Sequence, residues 1–221
     1  MVIPGIGATP LLMGRKKVVP FEIAHTASSV MSGSGNSRYN NSLSLGGADP
    51  DRWILICIQW MGFTGNPPNV FLNGVPATHL IGNEDPATGG GAIYKVAFPT
   101  GAIGSVACAF NYDPGSTTVS AYRAVGSSLA TATSARFNNG AFSRIISYAQ
   151  TRPALSAVLV TGVAAQNFSE ITGFTVNGGG VGNRFFSGIH GDGALPAGGT
   201  DIYAATESNA ASLVNSVALS L

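Results

Sequence analysis

The chain has 221 residues, with Lys+Arg 11 against Asp+Glu 10, a net charge of +1 and only 10% charged residues, where an ordinary soluble domain carries about 25%. Its 45% hydrophobic content is enough for a sizeable core and excludes disorder driven by low hydrophobicity and high charge. So even a charge balance offers no clustered basic surface for gripping phosphates, and nucleic acid is not an expected partner.

The opening segment is apolar but cannot be helical. Pro4, Gly5, Gly7, Pro10 and Gly14 punctuate it, while Val2, Ile3, Ile6, Leu11, Leu12 and Met13 give it something to bury. Residues 1–24 are therefore expected to form an extended arm that docks on its own domain or on a neighbouring subunit. The basic cluster Arg15-Lys16-Lys17 follows the apolar residues instead of preceding them, so no secretory leader is expected. No apolar run approaches the roughly 20 residues of a membrane-spanning helix, and no membrane is expected as a partner.

From about residue 18 the chain breaks into short β-favouring runs separated by turn residues, at the spacing of a sandwich or barrel. Helical patterning is nearly absent. The expected fold is all-β: a single large antiparallel, jelly-roll-like sandwich domain over residues 25–221, in which a second half could begin near 130–140, where the sequence turns small and polar, but no linker cuts the chain in two. No strand is expected across Thr131–Asn139, and no repeat of fixed period is visible.

Trp53-Ile54-Leu55-Ile56-Cys57-Ile58-Gln59-Trp60 does not alternate, so this strand should be covered on both faces. Asn73-Gly74 between two apolar runs is a hairpin signal, because a two-residue type I′ turn needs positive φ at both central positions. Pro76 marks that hairpin as a sheet edge, since it cannot donate to a ladder. The run Ala92–Phe98 and the run Gly104–Tyr112 both alternate, and the turn Pro99-Thr100-Gly101 is expected to join them as a hairpin. In the second run, Val106, Cys108, Phe110 and Tyr112 share the expected buried face. At the C-terminus Leu213, Val217, Leu219 and Leu221 oppose Ser212, Ser216 and Ser220, a pattern that belongs in a sheet.

Candidate chemistry is sparse. The glycine-dense loops at Gly89-Gly90-Gly91 and Gly178-Gly179-Gly180 precede no helical pattern, so they read as turns or bulges rather than phosphate cradles. His25, His79 and His190 are scattered without metal-ligand spacing, and no metal or other cofactor is expected. Cys57 and Cys108 lie inside apolar runs and read as buried thiols, with a bridge between them left open. The pairs Asp49/Asp51 and Glu84/Asp85 flank prolines and suit turn capping better than calcium. No catalytic residue stands out, and the chain is expected not to be an enzyme. Among the aromatics, Trp60, Phe63, Phe185 and Phe186 stand near expected loops and are candidates for stacking on a glycan or anchoring an interface.

One further pattern points to a family. The succession Arg52-Trp53-Ile54-Leu55-Ile56, Phe71-Leu72-Asn73-Gly74-Val75-Pro76-Ala77-Thr78, Gly91-Ala92-Ile93-Tyr94, Pro99-Thr100-Gly101 and Ala121-Tyr122-Arg123-Ala124-Val125-Gly126 resembles small β-sandwich structural proteins of tailed bacteriophages and prophages. The resemblance spans roughly residues 40–126 and rests on strands and turns, with no catalytic residue. It implies a virion component such as a decoration, fibre, collar or tail-tip protein. Its partners would be other virion proteins and further copies of itself, a trimer being favoured. A carbohydrate-binding module reading a host surface glycan is the alternative, and an esterase or glycan depolymerase is a weaker one.

Overall fold

The computed structural model describes residues 21–62, 64–126, 130–138, 145–207 and 211–220, by backbone alone at 130–138 and 192–194. The described residues are almost entirely strand and include no helix long and apolar enough to cross a membrane. In the first part run β1 (Glu22–Val30), β2 (Ser37–Ser44), β3 (Trp53–Met61), β4 (Asn69–Leu72), β5 (Val75–Pro76), β6 (Thr78–Asp85), β7 (Gly89–Ala97), β8 (Ile103–Ala109) and β9 (Thr117–Val125). The second part holds β10 (Ala130–Asn138), β11 (Ile145–Arg152), β12 (Ser156–Ala164), β13 (Phe168–Thr172), β14 (Thr175–Gly179), β15 (Phe185–Leu195), β16 (Gly198–Thr206) and β17 (Ser212–Ser220).

These strands form four antiparallel sheets. The first part supplies β1-β9-β3-β7-β6 and β2-β8-β4-β5, and the second supplies β10-β17-β12-β15-β14 and β11-β16-β13. With β5 set aside, the two parts have the same strand order: β1, β9, β3, β7 and β6 correspond to β10, β17, β12, β15 and β14, while β2, β8 and β4 correspond to β11, β16 and β13. Successive strands pass back and forth between facing sheets, which is the winding of a jelly roll, and the chain executes it twice. The change-over lies between Val125 and Ala130, just ahead of the sub-boundary expected near 130–140.

Three buried layers hold the stack together. Ile54, Ile56, Ile58 and Trp60 of β3 meet Leu43, Val70, Leu72, Val106 and Cys108 inside the first sandwich. Leu55 and Cys57 of the same strand face the other way and pack with Tyr122 against Ala157, Leu159, Val217 and Leu219 of the second sandwich. Inside that sandwich, Val158, Val160, Val214 and Phe186 meet Ile146, Phe168 and Ile202. The central β3 is thus covered on both faces, as its unbroken apolar run requires. The strand β17 is buried throughout: Leu213, Val217 and Leu219 face the first sandwich, while Ser216 faces inward, accepting from Tyr148 (2.8 Å) and donating to Gln150 (2.5 Å).

The Asn73-Gly74 turn has φ of 49° and 81°, and Pro76 sits on the edge strand β5, paired with Phe71 alone. Other expectations need correction. Residues 21–24 belong to the sheet rather than to an arm, since β1 begins at Glu22 and Phe21 and Ile23 are buried. Residues 1–20, with Val2, Ile3, Ile6, Leu11, Leu12 and Met13, lie outside the described residues. Pro99-Thr100-Gly101 does not close a hairpin: β7 pairs with β3 and β6, β8 with β2 and β4, and the turn carries the chain across to the opposite sheet. Tyr112 lies past the end of β8 and is 67% exposed, so the burial parity of Val106, Cys108 and Phe110 stops short of it. A strand, β10, occupies the segment where none was expected and pairs along its whole length with β17.

Candidate functional site: a hydroxyl-lined groove at the joint

Several titratable residues of the described chain hold turns or bridge between loops. Asp49 accepts from the Asp51 backbone N–H (2.9 Å), and Asp85 accepts from Ala87 N–H (2.9 Å) and Thr88 (2.8 Å). Glu84 accepts from Trp60 Nε1 (3.0 Å) and from the Thr64 hydroxyl. Arg38, buried, donates to the Gly35 and Gly115 carbonyls and pairs with Asp113 at 2.5 Å. That pairing and the Gly115 backbone N–H, the larger influence, hold the Asp113 carboxyl below its ordinary range. No group of three or more His, Cys, Asp or Glu side chains gathers to hold a metal among the described residues. Cys57 and Cys108 are free thiols buried in different layers, and burial pushes both far up from the ordinary thiol value.

The sandwiches meet through a polar seam as well as an apolar one. Gln59 projects from β3, the middle strand of its sheet, and donates to Thr161 Oγ1 (2.5 Å) and the Phe186 carbonyl (3.1 Å) across the joint. Its own carbonyl accepts from Thr118 (2.6 Å). Tyr122 donates to Ser187 (2.9 Å), and Asn215 donates to the Gly91 carbonyl (2.9 Å). Every one of these buried groups has a partner, which is the condition for a polar seam to stabilise rather than cost.

At the β6 side the joint is closed by β10 and β17; at the β1 side it opens into a groove of about 360 Å³. Ser28, Val30, Thr118 and Ser120 form one wall, and Gly178, Gly179, Asn183 and Phe185 the other, with Gln59 between them. The second wall is shaped by a β-bulge at Val176/Gly178. Gly178 is required there: a methyl on it would lie 2.4 Å from Ser28 Oγ and 2.7 Å from Ser120 Oγ. A second cavity of about 310 Å³ lies at the end of the first sandwich, between Asn66, Pro67, Phe71, Pro76, His79 and Tyr94.

The structure does not bring the candidate aromatics together. Trp60 is fully buried in the first sandwich, edge-on to Phe110 at 5.5 Å, and cannot reach a ligand. Phe186 is fully buried in the second, edge-on to Phe168 at 4.8 Å. Only Phe185, half-buried, faces the groove, while Phe63 lies outside the described residues.

No family model and no curated protein matches the chain. Among solved structures it is similar to a conserved protein of unknown function from Pseudomonas aeruginosa PAO1, at a TM-score of 0.32 and 10% identity, over 91% of this chain and 99% of that one. That likeness is too slight to carry an argument.

The residues that shape the groove are serines, threonines and glycines, which in sequence look like turn and surface residues. The glycine-dense stretch Gly178-Gly179-Gly180, expected as a turn or bulge, holds the bulge that shapes one wall.

Proposed function

We propose that the protein is a non-enzymatic building block of a tailed-phage virion, a decoration, fibre, collar or tail-tip subunit that packs against companion proteins and other copies of itself. The observation that carries this reading is the outer sheet β2-β8-β4-β5. Its four strands hold one charged side chain, Arg38, and that one points inward and is buried. Across its outer face Tyr39, Ala107, Phe71 and Pro76 lie in one cross-strand row that spans all four strands. Tyr39 is 44% and Ile103 is 62% exposed on the same sheet.

A sheet that faces only water normally carries Lys or Glu on its face and edges to block association. An uncharged, partly apolar face of this kind is suited to burial against another protein. The resemblance of residues 40–126 to phage structural β-sandwich proteins supports the same reading. Jelly rolls also serve as lectins and enzymes, so the winding alone would not favour assembly.

The test is sedimentation velocity of the full chain alongside Ala107→Glu, which places a charge in the centre of the uncharged row, and detection of the protein in purified phage particles. Expected results are a symmetric oligomer, a monomeric but folded variant, and co-purification with particles that is lost when Met1–Gly14 is deleted. A wild-type chain that stays monomeric and is absent from particles overturns the proposal.

A further inference from the structure

We propose that the groove at the joint binds an uncharged carbohydrate, taking one or two sugar rings between the Ser/Thr wall of the first sandwich and the Gly/Phe wall of the second. This goes beyond an assembly role and relocates glycan recognition from Trp60 and Phe186, which are core residues, to a place where a ligand can enter.

Size is the first argument. About 360 Å³ falls at the small end of the range of roughly 300–1,000 Å³ typical of ligand clefts. Charge is the second: none of the side chains lining the groove is ionised. A charged ligand would be desolvated there with no opposite charge to compensate, whereas a neutral polyol would not. The neighbouring His25 adds no charge at neutral pH, because desolvation keeps its imidazole below the ordinary value.

Hydrogen-bonding capacity is the third. Ser28 Oγ donates to Ser120 Oγ at 2.8 Å, which leaves the Ser120 hydroxyl proton free to donate. Thr118 donates to Gln59 and retains acceptor lone pairs. Asn183 is exposed, and its amide makes only a long contact of 3.5 Å to the Val181 carbonyl. The groove therefore offers both donors and acceptors, which a sugar's hydroxyls can use because each both donates and accepts. Gln59 is pinned by Thr161 and the Phe186 carbonyl, so these groups are held in place before any ligand arrives.

The wall opposite completes the match. Phe185 offers a half-buried aromatic ring against which the apolar C–H face of a sugar can pack. Beside it, the buried Gly178 and the exposed Gly179 line the groove with bare backbone, which a ligand can approach closely.

The test is ligand-observed saturation-transfer NMR on the full-length protein with maltose, cellobiose, lactose and N,N′-diacetylchitobiose, and in parallel with a uronic-acid and an amino-sugar disaccharide. The inference expects saturation transfer to at least one neutral disaccharide and to neither charged one. Phe185→Leu, which keeps the apolar volume and removes the ring, and Asn183→Ala, at an exposed position, should each weaken that binding by roughly three- to tenfold. Circular dichroism should report both variants as folded. The inference is overturned if no neutral disaccharide binds, if the charged ones bind as well, or if both folded variants bind like the wild type. Because the assay uses isolated protein, it is separate from the particle and sedimentation tests of assembly.

Discussion

Trp60 lies over Gly90, its cross-strand partner on β7, so closely that a methyl on Gly90 would stand 2.1 Å from the indole ring. The second sandwich repeats the arrangement with the roles exchanged. There Phe186 of β15 covers Gly162 of β12, where a methyl would stand 2.3 Å from the phenyl ring. The strands β3 and β12 correspond, as do β7 and β15. Each jelly roll thus lays a fully buried aromatic ring across a glycine of the paired strand.

Gly90→Ala is therefore expected to destabilise the protein by about 1–3 kcal/mol through overpacking, because the displaced partner is a fully buried tryptophan rather than a flexible chain end. Urea denaturation followed by tryptophan fluorescence measures this. Gly47→Ala is the control: a methyl there meets nothing within 4 Å, and its midpoint should match wild type. Equal midpoints for the two variants would mean that the ring does not press on Gly90.

Much of the fold was legible because it follows from one-dimensional patterns. The unbroken apolar run at 53–60 foretold a strand covered twice, and Asn73-Gly74 foretold its hairpin. What failed needed information from the third dimension. The strand β10, Ala-Thr-Ala-Thr-Ser-Ala-Arg-Phe-Asn, carries almost no large apolar side chain and is a strand by pairing with β17. The duplication left no visible repeat, because equivalent strands fill equivalent space with different residues, as Trp60 over Gly90 and Phe186 over Gly162 show. Trp60 and Phe186 looked accessible for a related reason: each lies near a strand end, and the glycine that makes room for its ring is distant in sequence. The groove was invisible for want of any distinctive residue.

The polar seam should make the two sandwiches interdependent. Gln59→Leu removes the bonds to Thr161, the Phe186 carbonyl and Thr118, and leaves Thr161 only its longer bond to the Phe186 carbonyl (3.3 Å). A loss of about 1–3 kcal/mol is expected. Thr161→Val should cost less, and the double variant less than the sum, since both remove the same bond. Additive losses in a double-mutant cycle would show that Gln59 and Thr161 are not coupled.

Stability should peak near neutrality and slightly above. Desolvation holds the His25 and His79 imidazoles below their ordinary value, with backbone hydrogen bonds at Ala27 and Ile81 offsetting it in part. The unfolded chain then takes up protons first as pH falls below about 6.5, so the histidine contribution is present above that pH and lost on acidification. On the alkaline side, burial raises Cys57, Cys108, Tyr94 and Tyr122. Their contribution is complete below the unfolded values of about 8.5–10 and declines as pH rises beyond them. Urea midpoints across this span should form a dome, and His25→Gln combined with His79→Gln should flatten its acid limb. A flat profile between neutral and mildly acidic pH would contradict the assignment.

Arg52 supplies the sharpest test of the jelly-roll crossing. It is 1% exposed, yet no carboxylate bonds to it; its guanidinium donates to carbonyls on two separate turns. Nη1 reaches Gly46 (3.0 Å) and Gly47 (2.9 Å) after β2, while Nε and Nη2 reach Phe98 (2.6 Å), Thr100 (2.7 Å) and Gly101 (2.7 Å) between β7 and β8. The same side chain therefore fastens the turn that passes from one sheet to the other, where the sequence had suggested a hairpin. Arg52→Met should destabilise by about 3 kcal/mol, because the charge-assisted bonds that join two turns are lost together. Arg52→Lys keeps the charge but replaces a planar fork of five donors with a single ammonium that cannot span both turns. If geometry is what matters, lysine recovers less than half of the loss in urea denaturation; if charge alone were enough, lysine would restore nearly all of it.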